Sequence, residues 1–226
     1  MATARYHDIS RYLSVEEARQ LYVAGDAAHD FDHVWRVTRL AVQLARAEGA
    51  DREVVFLAAL LHDAPVGEDT LSSAQAVRRA HHLAAAAYAG DFLQNRGMAT
   101  EQVAAVVHCI EAHRFRDQTI QPQSVEAMCL YDADKLDSIG AIGVARAFAY
   151  AGSHDTRLWT VPVAAVPPLT AKPQGADYTP VHEHVYKLQN LLATLYTPTA
   201  QRLGAKRHET MVTFFELLDK EMRQIE

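Results

Sequence analysis

The sequence predicts an all-α protein built as a single-domain bundle of helices. Three observations predict it. Apolar residues recur at helical spacing along most of the chain, the β-branched alternation that marks strands is scarce, and helix start and stop residues punctuate the pattern at short intervals.

Taken in order, Ser14 followed by Glu17 forms a capping-box pattern that opens a short helix running to Ala24. Asp30 or Asp32 caps a long helix whose Val34, Val37, Leu40, Ala41 and Leu44 fall on one face, and Gly49 closes it. Asp51 then starts an apolar helix that ends in the pair His62-Asp63, and so short a break makes the two helices packed, roughly antiparallel neighbours. Residues 64–71 read as a loop broken by Pro65 and Gly67. Helices are expected over 73–96, 100–113 (opened by Thr100), 124–137 and 139–151. From 152 to 180 no period holds, and five of the eight prolines lie there. A segment of this kind inside a domain is more often a lid or a partner arm than a plain connector. Two helices, 180–194 and 198–224, close the chain, with Pro198 suited to a first helical position.

Composition narrows the function classes. The 226 residues carry a formal charge of −6 and contain no long basic run, which argues against a duplex nucleic acid or an anionic membrane as partner. A small phosphorylated substrate, which needs only a few local cations, stays open. The two cysteines, Cys109 and Cys129, sit in apolar helical contexts and read as reduced core residues. Neither a signal-peptide core nor a run near the ~20 apolar residues of a membrane span is visible, so the expected location is cytoplasmic.

An apolar run that ends in an imidazole and a carboxylate is unusual, because both groups are costly to bury unless compensated. A divalent ion compensates them, since neutral imidazole and ionised carboxylate are both good ligands. Three segments supply candidates: His33 near the start of the long helix, His62 and Asp63, and Asp134 in Tyr131-Asp132-Ala133-Asp134-Lys135-Leu136-Asp137. Two imidazoles and two carboxylates suit Mn²⁺, Mg²⁺, Co²⁺, Fe²⁺, Ni²⁺ or Zn²⁺ and leave positions open on a six-coordinate ion. The bland alternative is a surface or hydrogen-bonded His33, with Asp30, Asp32 and Asp51 as caps and Asp132 and Asp137 as solvated or ion-paired residues beside Lys135.

The stretches Ala28-His29-Asp30-Phe31-Asp32-His33-Val34-Trp35-Arg36-Val37, Leu60-Leu61-His62-Asp63 and Asp132-Ala133-Asp134-Lys135-Leu136-Asp137 resemble the H…HD…D signature of the HD-domain metal-dependent phosphohydrolases. The resemblance continues through Ile139 to Arg146, His182 to Leu188 and Lys206 to Met211, where it is similar to a bacterial branch that includes nucleotide pyrophosphatases. It implies a helical bundle around a central metal held by His33, His62, Asp63 and Asp134, with Asp132 as the rival for the last place. It also implies a phosphohydrolase acting on a nucleotide or related metabolite, for example splitting a triphosphate into monophosphate and pyrophosphate. Nucleoside-monophosphate phosphatase and guanosine polyphosphate hydrolase are the alternatives, and a non-catalytic metal-binding regulatory module is the alternative from another class. A dinuclear iron centre for redox use needs ligands beyond these four.

Within that frame Asp63 can orient the attacking water, and Glu68 and Asp69 are candidates to move protons. Related stringent-response hydrolases carry a Glu-Asp pair closer to their His-Asp. Here Ala64-Pro65-Val66-Gly67 intervene, and a solvated loop is the alternative. Lys135, Arg146 and Lys187 are candidate phosphate-facing cations, with surface salt bridging as their alternative. His113, ending a helix, is a candidate to line the substrate pocket, while His81, His82 and His108 read as structural or exposed. Trp159 either stacks on a base or plugs a core gap. The oligomeric state is open, and a homo-oligomer is compatible with the sequence.

Overall fold

Every side chain from Val54 to Leu61 is buried, and a helix apolar all round belongs at the centre of its neighbours rather than on a surface. The computed structural model describes residues 6, 9–22, 31–64, 74–115 and 119–225. Among them are nine α-helices and no strand: α1 (Val15–Leu21), α2 (Phe31–Glu48), α3 (Arg52–Leu61), α4 (Ala74–Asn95), α5 (Thr100–Ala112), α6 (Val125–Asp137), α7 (Gly140–Ser153), α8 (Pro180–Tyr186) and α9 (Pro198–Arg223). The all-α class is as expected. The chain divides into two compact units, residues 1–134 and 135–226, with the boundary inside α6.

In the first unit α3 packs against α1, α2, α4 and α5. The capping box of Ser14 and Glu17 opens α1. The Asp51 side chain accepts from the amides of Glu53 and Val54 at the start of α3, and Gly49, at φ +74°, makes the turn out of α2. Asp32 lies within the first turn of α2 rather than ahead of it. Asp30 falls outside the described residues, as do positions 65–71 of the expected loop, with Glu68 and Asp69. Of the stripe read from the sequence, Val34, Val37, Ala41 and Leu44 of α2 are buried, whereas Leu40 is half-buried. Ala85, Ala86 and Ala89 of α4 are buried, and at Gly90 an added Cβ would lie 3.2 Å from Val107, so small residues let α4 and α5 approach closely.

In the second unit α7 packs on α8 and α9. Gly140, at φ +76°, starts α7 where an added Cβ would meet the Cβ of Arg207 at 2.9 Å. The last carbonyls of α6 are capped by cations: Arg207 donates to the Leu136 carbonyl, and Arg146 donates to the Asp137 side chain at 3.1 Å and to its carbonyl at 3.3 Å. The helix expected over 180–194 is broken at Lys187 into α8 and a 3₁₀ stretch, Leu188–Thr194. Its buried residues Leu188 and Leu191 are three apart, the period that a 3₁₀ helix stacks on one side.

Residues 154–179 contain three short 3₁₀ turns, and their anchors are polar. Asp219 of α9 accepts from the Trp159 indole and the Val163 amide, both at 2.7 Å, and the Tyr186 hydroxyl donates to the Pro167 carbonyl at 2.6 Å. Trp159 is half-buried, with its indole N–H held by Asp219. No helix among the described residues is long and apolar enough to cross a membrane.

Two predictions concern stability. In α7 an added Cβ at Gly143 would lie 2.3 Å from the Ser138 carbonyl oxygen, whereas at Gly152 nothing stands within 4 Å. Gly152→Ala is therefore expected to gain up to about 1 kcal/mol in urea unfolding, while Gly143→Ala loses stability because backbone has to move. His184 is buried, lies flat on Phe215 with ring centroids 4.2 Å apart, and has an Nδ1 without a hydrogen-bond partner. Burial, helped by His208 and opposed by Asp219, pushes its pKa down to about 4. A folded-state value below the ordinary 6.5 means that the unfolded chain binds the proton more tightly. The stability this residue contributes is therefore complete above pH 6.5 and is lost as pH falls toward 4, on the order of 2–3 kcal/mol in all. Urea midpoints measured between pH 7.5 and 5 should fall less steeply in His184→Gln than in the parent protein.

Candidate metal centre

The ends of helices in the first unit deliver the candidate ligands. The C-terminal end of α3 leaves the carbonyls of its last turn without helical partners, and no glycine follows to close it. His62 continues in right-handed helical geometry, and its Nδ1 lies 2.8 Å from the Ala59 carbonyl. That contact makes Nδ1 the protonated nitrogen and leaves the Nε2 lone pair free to bind. His62 Nε2 is buried and has no hydrogen-bond partner, an unpaired acceptor of the kind a cation satisfies. His113 repeats the device at the end of α5, with Nδ1 2.5 Å from the Ile110 carbonyl.

The four side chains expected to converge do so. His33 Nε2 lies 3.7 Å from Asp63 Oδ2 and 3.6 Å from Asp134 Oδ1, and His62 Nε2 lies 3.5 Å from Asp63 Oδ2. Atoms bound to one ion at about 2.1 Å, with angles of 90–120°, stand roughly 3.0–3.7 Å apart, so this spacing fits a shared cation. His33, His62 and Asp134 offer ligand atoms within 4.8 Å of one another, and so do His62, Asp63 and His113. Burial alone raises the Asp63 carboxyl, but the imidazoles of His62, His113 and His33 outweigh it and hold the group well below the usual carboxylate range. Asp134, rather than the fully buried Asp132, is the acid beside His33.

Two imidazoles stand closer to the centre than the sequence reading placed them. His113, expected to line a substrate pocket, has Nε2 3.9 Å from Asp63 Oδ1. His81, expected to be structural or exposed, has Nε2 at the same distance from the same oxygen. Asp63 therefore turns one oxygen to His33 and His62 and the other to His81 and His113. The only signal for His113 in the sequence is its place at the end of a helix, and nothing local marks His81. Of the candidate cations, Lys135 is buried in the last turn of α6, Arg146 is bound to Asp137, and Lys187 lies 3.3 Å from Glu183 one helical turn earlier. The catalytic candidate Glu68 is outside the described residues.

Comparison with known proteins places this geometry. The chain is 31% identical over 203 residues to YpgQ of Bacillus subtilis, covering 88% of this chain and 87% of YpgQ. The crystal structure of Bacillus subtilis YpgQ in complex with ADP is similar at a TM-score of 0.68 and 28% identity, over 92% of this chain and 97% of that one. That of an HD-superfamily hydrolase from Bacillus thuringiensis is similar at 0.65 and 27% identity, over 92% and 96%. The model of the HD domain matches residues 30–139, a span that opens three residues before His33 and runs past Asp134. With its histidines and aspartates gathered at the ends of these helices, the chain belongs to the HD-domain family.

Proposed function

We propose that this protein is a divalent-metal-dependent phosphohydrolase acting on a nucleotide, cleaving a nucleoside triphosphate to the monophosphate and pyrophosphate, with the whole chain working as one catalytic domain. What carries the reading is the convergence of His33, His62, Asp63 and Asp134 around the unpaired Nε2 of His62. The ADP bound in the similar YpgQ structure supports a nucleotide as ligand.

A divalent ion bound there supplies Lewis acidity, drawing charge off phosphoryl oxygens and acidifying water. The protein's share is to hold ligands and position water. His33, His62, Asp63 and Asp134 form the ligand set, with His62 fixed in one tautomer by the Ala59 carbonyl. Asp63 stays ionised among its imidazoles and can accept a hydrogen bond from the attacking water. Glu68 is the proposed proton carrier. Lys135, Arg146 and Lys187 are the proposed phosphate-facing cations, of which Arg146 is paired with Asp137 and Lys187 with Glu183.

A second reading, a centre that would hold two ions with His81 and His113 as further ligands, is favoured by the Nε2 atoms of both, each 3.9 Å from the Asp63 oxygen that faces away from His33 and His62. Metal analysis of the purified protein separates the two: one ion per chain supports the single centre, and two ions, falling to one in His113→Ala, support the pair.

Protein dialysed against chelator is expected to be inert toward a panel of nucleotides and to recover with Mn²⁺, Mg²⁺ or Co²⁺. Pyrophosphate with monophosphate as products supports the proposal. Orthophosphate with nucleoside points instead to a phosphatase, and activity that persists without metal overturns it. His62→Ala is expected to lower turnover by roughly 10³-fold, the scale on which an electrostatic stabiliser is lost.

A further inference from the structure

The closing of α3 uses one group from outside the helix and its His-Asp pair. The last three carbonyls of α3 all have partners. Ala59 meets the His62 ring, Leu61 accepts from the Ala64 amide at 3.1 Å, and Leu60 accepts from the Tyr22 hydroxyl at 2.7 Å. Tyr22, the residue that ends α1, is buried. The hydroxyl thus holds a carbonyl two residues before His62, across a separation of 38 residues.

We propose that Tyr22 is a positioning residue for the metal ligands: its hydroxyl fixes the turn at Leu60–Asp63, so that His62 Nε2 and Asp63 Oδ2 face the same point. The inference rests on the metal-centre reading above. The ring is held independently of the hydroxyl. It packs on Phe31 at a centroid distance of 5.9 Å, and the Arg19 guanidinium lies over the Phe31 ring, 4.3 Å from its centroid. Removing only the oxygen therefore leaves the packing in place and frees the Leu60 carbonyl. Groups that orient metal ligands from outside the coordination shell typically change metal affinity by 10–100-fold when lost. Tyr22 acts through main chain rather than through a ligand's own ring, so the lower end of that range is the expectation.

The experiment compares Tyr22→Phe with the parent protein and with Phe215→Leu, a core change in the second unit that serves as a stability control. Mn²⁺ affinity is measured by calorimetry, and exchange of the Ala64 amide, which donates to the Leu61 carbonyl, is followed in the metal-free protein. Tyr22→Phe should weaken Mn²⁺ binding about 10-fold and speed exchange at Ala64. Phe215→Leu should lower Tm and leave both readouts unchanged. Unchanged affinity and unchanged exchange in Tyr22→Phe overturn the positioning role while the metal centre stands. Absence of Mn²⁺ binding by the parent protein overturns the metal centre and this inference with it. Should Tyr22→Phe fail to fold, exchange in the parent protein decides: a protected Ala64 amide supports the latch, and a loop-like rate refutes it.

Discussion

The Asp63 carboxylate, withdrawn from water and surrounded by imidazoles, sets the terms for the first unit. Its side chain is 13% exposed and lies within 4 Å of ring nitrogens of His33, His62, His81 and His113. An isolated buried carboxylate is costly, and the cost falls only where positive charge or donors are close and well directed. Four imidazoles supply that environment when protonated, and a cation supplies it when they are neutral. Either way the histidines need to be brought to one point, and the packing of the helices around α3 serves that end.

Helix ends are where the candidate ligands are found, and the reason is geometric. A residue inside a buried helix such as α3 meets apolar neighbours on every side. One at its end is flanked by main-chain groups that lack helical partners. His62 and His113 each put Nδ1 to a carbonyl three residues back and so present Nε2 outward. The same groups that cap the helix select the tautomer that can bind an ion. The end of α6 is closed differently, by the guanidinium groups of Arg146 and Arg207 on the carbonyls of Asp137 and Leu136.

The second unit is organised by polar anchors as much as by apolar contacts. Asp219 divides its two oxygens between the Trp159 indole and the Val163 amide, which holds a segment with little regular structure of its own. Proline-rich chain cannot satisfy itself with a ladder of hydrogen bonds, so its partners come from side chains of neighbouring elements. Beside this, His184 on Phe215 spends an imidazole on packing, with an unpaired Nδ1 that makes the unit sensitive to acid.

Much of this was legible from the chain alone. Helical period, the capping box at Ser14 and Glu17, Asp51 and Pro198 as starts, and the buried stripe of α2 all depend on residues close in sequence, where spacing translates directly into which face a side chain occupies. The candidate metal ligands were legible for a different reason: an imidazole and a carboxylate ending an apolar helix are costly unless they meet something, and the resemblance to the H…HD…D pattern supplied His33 and Asp134 as their companions. The tertiary structure alone decided that Asp134 rather than Asp132 faces His33, that His81 and His113 join Asp63, and that Tyr22 closes α3. Each of these joins residues far apart along the chain, or depends on the rotation of a helix that several apolar faces fix together. Local spacing carries no record of either. Contacts across 38 residues, as between Tyr22 and Leu60, exist only once packing has set how the helices lie.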